Sequence, residues 1–180
     1  MIIVVAILII AGLAALAATT APSSSTSTTS TYISTGADAI VASAAQTSPS
    51  GFTLESSKAA ASGSTRSGDW ALLGNSDGSV ANVTAVVYPT VNASQAHFDS
   101  FVAGVKGLPG YTDISSDVAS FQQYGKCYGY GEDVDGIAVA NGVCTKGNVF
   151  LQVHLVSGIA FSDLEGDLTS IMGALYQSAT

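Results

Sequence analysis

An α+β domain, with a mainly antiparallel sheet packed by two or three helices, is the fold class this 180-residue sequence predicts. Three features carry the prediction. Strand-like segments cluster on either side of short turn sequences, as in hairpins. Two strands alternate cleanly between apolar and mixed faces. Amphipathic stretches with helical period separate and follow the strand clusters.

In order, residues 36–47 (GADAIVASAAQT) read as a short helix, 51–56 as a strand, and 57–68 (SKAAASGSTRSG) as a flexible loop. Residues 69–74 and 80–88 form a hairpin around Asn75-Ser76-Asp77-Gly78. Ala81, Val83, Ala85 and Val87 share one face of its second strand. A helix follows in which Asn92 is the expected cap, with Gln95 three residues on. Phe98, Phe101, Val102 and Val105 make an i, i+3, i+4, i+7 stripe. Strands are expected near 118–124, 127–130 and 149–156. In the last, Val149, Leu151, Val153 and Leu155 alternate with Phe150, Gln152, His154 and Val156. Ser162 and Glu165 form a capping box for a final helix striped by Leu164, Leu168, Ile171, Met172 and Leu175. This order is similar, at the level of fold alone, to extracytoplasmic sandwiches such as the PsbP-like fold.

Ahead of the domain, residues 1–18 (MIIVVAILIIAGLAALAA) lack any polar side chain. With the next three residues they make a helix of about 30 Å, the thickness of a bilayer's hydrocarbon core. Residues 1–21 are therefore expected to be a transmembrane anchor or a signal peptide. Ala15-Leu16-Ala17 offers a small-residue cleavage site, but no Lys or Arg precedes Lys58 to make a basic leader. No Cys follows the apolar run, which excludes bacterial lipid attachment there. Residues 22–35 are expected to be a Ser/Thr-rich linker, since residues 19–31 hold eleven hydroxyl side chains in thirteen positions. The folded domain is placed at 36–180.

Charged residues make up 10% of the chain, and the net charge is −8. Its five bases, Lys58, Arg66, Lys106, Lys126 and Lys146, are scattered rather than gathered into a stripe, which excludes nucleic acid as a partner. The expected partners are a membrane, through residues 1–21, and an extracellular ligand or protein.

Cys127 and Cys144 are the only cysteines. In an exported chain the pair predicts a disulfide, since the spacing does not fit CxxC and two ligands do not make a zinc site. Their strands should then be direct neighbours: two strand spacings come to about 9.5 Å, beyond the roughly 7 Å a disulfide spans. On that reading residues 131–141 leave the sheet as a loop; the rival reading puts the cysteines beyond the strand ends, where a bend closes the gap. Tyr128, Tyr130, Glu132, Asp133 and Asp135 on or beside the loop form the candidate binding site. The plainer reading is an acidic, solvated loop tip, and the EF-hand pattern needs more oxygen ligands than it offers.

No catalytic, metal or cofactor motif survives inspection. Residues 74–78 match G-x-S-x-G, but a strand follows where the nucleophile elbow needs a helix. His97 is expected on the helix face opposite Phe98 and Phe101, and His154 on the alternate strand face. Gly129-Tyr130-Gly131 lacks the third glycine of a dinucleotide loop. Trp70 and Tyr111 are readable as packing residues or as a ligand platform. Asn82 and Asn92 head possible N-glycosylation sequons. The expected function is that of a non-enzymatic, surface-tethered or secreted binding domain. An apolar helix ahead of a Ser/Thr-rich, β-rich domain also resembles the plan of archaeal pilins, which implies a filament subunit as the alternative.

Overall fold

The structure, a computed structural model, describes residues 31–180 except 48, 64–65, 116–118, 135–136 and 158–160. The apolar segment expected at 1–21 and residues 22–30 of the linker lie outside the described residues. No helix of the described residues is long and apolar enough to cross a membrane.

Among the described residues, three helices and seven strands follow one another as α1 (Ala37–Gln46), β1 (Thr53–Gly63), β2 (Arg66–Gly74), β3 (Val80–Val87), α2 (Val91–Lys106), β4 (Thr112–Asp113), β5 (Cys127–Val134), β6 (Ile137–Lys146), β7 (Val149–Ser157) and α3 (Phe161–Ser178). Short 3-10 turns occupy Pro49–Gly51 and Ala119–Tyr124. The strands form one sheet in the order β1-β2-β3-β7-β6-β5-β4, and every pairing is antiparallel. The α+β expectation holds, with helices on both faces of the sheet.

Strand alternation decides which residues meet which helix. Ala81, Val83 and Ala85 of β3, Ala138 and Ala140 of β6, and Val149, Leu151, Val153 and Leu155 of β7 are buried in one core. Against them pack Ile40, Val41 and Ala44 of α1 and the expected α3 stripe, all five residues of which are fully buried. Alanines of β3 and β6 flank the Val and Leu side chains of β7 here, so the long Leu, Ile and Met side chains of α3 fill the space that the small residues leave. On the opposite face α2 lays Phe98 and Val105 over Tyr88, Tyr128, Tyr130, Val143 and Phe150, a smaller and more aromatic core.

Several local expectations need correction. Residues 57–63 and 66–68 are strand rather than loop: β1 runs to Gly63 and pairs with β2, with irregularities in register. Ala, Ser and Gly are weak strand formers, and cross-strand pairing overrides that weakness. Residues 119–124 form a 3-10 turn rather than a strand, because Phe121 docks over Gly142, where a Cβ would sit 2.7 Å from its ring. Thr90, not Asn92, caps α2, its hydroxyl accepting the Ala93 N–H at 3.2 Å. The last helix begins at Phe161, which places Ser162 inside it rather than at its cap. Residues 31–35, assigned to the linker, pack on the domain: Ile33 is buried, and Thr35 bonds to the Thr180 carbonyl.

Candidate functional site

The cysteine geometry is as expected and the loop is not. Cys127 and Cys144 are directly opposed in the β5–β6 pair, with Cα atoms 4.1 Å apart and a formed S–S bond. Residues 131–134 do not leave the sheet. Pairing continues through Tyr130↔Asn141, Glu132↔Val139 and Val134↔Ile137, so the two strands make one tight hairpin. Only two positions, 135 and 136, connect them, and Asp-Gly is a preferred two-residue hairpin turn. Asp133 lies within β5 opposite Ala138. Asp135 and the side chain of Asp133 lie outside the described residues.

The tyrosines of the candidate site are core residues. Tyr128 and Tyr130 are 8% and 5% exposed, and their rings stack 6.0 Å apart beneath α2. Burial pushes the Tyr130 hydroxyl far above the ordinary tyrosine range, and it shares a hydrogen bond with Gln152. The Tyr128 hydroxyl is raised by burial first and by the neighbouring Asp113 carboxylate second. Burial also pushes the Asp113 carboxyl up, but hydrogen bonds from Ser115 and Tyr128 and the charge of Lys106 outweigh it, so Asp113 stays more acidic than usual. Tyr111, half-buried, packs edge-on against Tyr130 at 5.2 Å and bonds to Glu132. What solvent meets is therefore the rim: Tyr111, Asp113 and Glu132 along β4 and β5.

His97 does not lie opposite the apolar stripe. It packs edge-on against Phe150 at 4.7 Å, within 5.5 Å of the Tyr88 ring, so the buried face of α2 is wider than the stripe. His154 is on the alternate face of β7 as expected, its Nδ1 2.6 Å from Oδ1 of Asn141. Burial holds its pKa below the ordinary 6.5. An unfolded chain therefore takes up a proton near pH 6.5 that the folded chain resists. Stability contributed by His154 is present above that pH and declines as the pH falls below it, by at most about 1.4 kcal/mol per pH unit. Urea titrations at pH 7.5 and 5.5 should show this decline in the parent, and a smaller one in His154→Gln; equal declines would refute it.

Ser76 occupies the exposed β2–β3 turn, where the carboxylate of Asp77 and the amide oxygen of Asn75 both accept the Ser79 N–H. Strand β3 follows directly, so this is a turn and not a nucleophile elbow. Asn82 is half-buried in central strand β3, opposite Leu72 and His154, whereas Asn92 is exposed at the start of α2. The side chain of Trp70 lies outside the described residues. Among those residues, no group of three His, Cys, Asp or Glu side chains is placed to hold a metal.

A cleft of ligand size lies elsewhere. Between α1 and α3 runs an open groove of about 570 Å³, within the roughly 300–1,000 Å³ range of small-molecule sites. Pro49, Gly173 and Ala174 line it together with the polar Ser43, Thr47, Thr169, Ser170, Gln177 and Ser178. Tyr124 closes one side, its ring 4.8 Å from that of Tyr176 and its hydroxyl lying where a side chain at Gly173 would begin. The Ser43 and Ser178 hydroxyls meet across the two helices at 3.2 Å. Sequence reading missed this groove. Its residues are small and spread from 43 to 178, and no motif joins them.

No protein-family model matches the chain, and a search of curated proteins finds no match either.

Proposed function

We propose that this protein is an exported, membrane-tethered or secreted domain that binds a small ligand without transforming it, and that the α1–α3 groove holds the ligand. The observation that carries this reading is the groove itself, a ligand-sized cleft lined by hydroxyl and amide groups with no acid–base pair among its residues. Export is supported by the apolar residues 1–18 and by the disulfide, a bond that persists in oxidising compartments. The candidate pair Tyr128 and Tyr130 packs instead in the aromatic core beneath α2.

A library of small polar fragments, titrated against the isotope-labelled full chain, tests this. Amide shifts are expected at Ser170, Gly173, Ala174 and Gln177. Shifts confined to Tyr111, Asp113 and Glu132 would return the site to the hairpin rim, and an absence of saturable shifts at the groove would refute the reading.

A further inference from the structure

We propose that the α1–α3 groove recognises an uncharged, hydroxyl-rich ligand, a short neutral saccharide; this rests on the binding function proposed above. Acids outnumber bases 13 to 5 in the chain, yet none of the ten residues lining the groove carries a charge. A phosphate, carboxylate or ammonium group seated there would lose hydration without meeting a counter-ion. An apolar ligand would strip water from Ser43, Thr47, Ser170 and Gln177 and return no hydrogen bonds. A neutral polyol avoids both costs.

The hydrogen bonding in the walls points the same way. Thr47 Oγ1 donates to the Ala44 carbonyl at 2.7 Å, and Ser178 Oγ donates to the Ala174 carbonyl at 2.8 Å. Each hydroxyl has one hydrogen and two lone pairs, so with the hydrogen engaged on the helix backbone it offers mainly acceptors. These two hydroxyls suit a ligand that brings O–H donors. Gln177, exposed at the rim, adds both a donor and an acceptor. Pro49, Gly173, Ala174 and the Tyr124 ring supply apolar lining beside these polar groups. A pyranose ring matches this division, with C–H groups on its faces and hydroxyls around its edge.

Gly173 makes the idea testable without threatening the fold. A methyl group there would begin 2.7 Å from the Tyr124 hydroxyl, the mobile end of that side chain, and would displace it. Alanine is also the better helix residue. The experiment titrates the full chain, in micelles of a detergent without sugar headgroups, with maltotriose, mannotriose, cellotriose and chitotriose, and with trigalacturonate as the acidic comparator. At least one neutral trisaccharide is expected to shift the amides of Ser170, Gly173, Ala174 and Gln177 saturably, while trigalacturonate does not. Gly173→Ala and Gln177→Ala should each weaken that binding, the former about tenfold, with unchanged circular dichroism. Parent-like binding by Gly173→Ala would overturn the assignment. Should polar fragments occupy the groove while every neutral trisaccharide fails, the ligand class is wrong and the binding function stands. If neither binds, both fail.

Discussion

Replacing both cysteines, Cys127→Ala with Cys144→Ala, is expected to destabilise the domain by about 3 kcal/mol and to lower its melting temperature by about 6–12 °C. The bond closes a loop of 17 residues, and most of its effect in the chain-entropy view comes from restricting the unfolded chain. Its position adds a local effect. On its outer side β5 has only the two-residue β4 as a neighbour, so the bond fastens what is nearly an edge strand to β6. Beneath α2, β5 supplies Tyr128 and Tyr130, and fraying it would open the aromatic core from its side. Amide exchange along Tyr128, Tyr130 and Glu132 should therefore accelerate more than exchange in β3 and β7. Equal urea midpoints for the oxidised and reduced parent would show that the hairpin's own pairing already suffices.

How much of this was legible follows from how local each signal is. The α3 stripe, the alternation in β7 and the turn at residues 75–78 are repeated patterns within a short window, and the fold honours all three. Strand β1 was hidden because Ala and Ser carry little strand preference; it exists through its partner β2. Residues 119–124 offered Phe and Tyr in a strand-like run, but what shapes them is the docking of Phe121 on Gly142, a contact no local pattern announces. The hairpin at 127–144 was a different case, since its signal was present. Asp135-Gly136 between Val134 and Ile137 is the sequence pattern of a two-residue turn, and the run of acids Glu132, Asp133 and Asp135 obscures it. The groove had no signal at all. It arises where α1, the turn at Pro49, Tyr124 and α3 converge, and it is polar through small residues common throughout the chain.

Asn148→Ala is expected to cost about 2–6 kcal/mol, although the residue is no part of the groove lining. It follows Gly147 in the two-residue connection between β6 and β7, and it is fully buried. Its Oδ1 accepts the Ile33 N–H at 2.7 Å, its Nδ2 donates to the Tyr88 carbonyl at 2.9 Å, and its own carbonyl accepts the Tyr88 N–H at 2.8 Å. One amide thus joins the arriving chain, the end of β3 and the β6–β7 turn. Gly147 makes room for this: its φ is +55°, and a side chain there would collide with the Thr31 carbonyl. Truncation to alanine strands a buried donor and a buried acceptor, each worth about 1–3 kcal/mol. The two halves are separable. In a chain lacking residues 1–34 the Ile33 bond is already gone, so Asn148→Ala should cost about half as much there as in the full chain. This non-additivity is the mark of a shared contact. Equal costs in both backgrounds would mean that residues 31–35 are only the end of a linker, and that the tether does not dock on the sheet it carries.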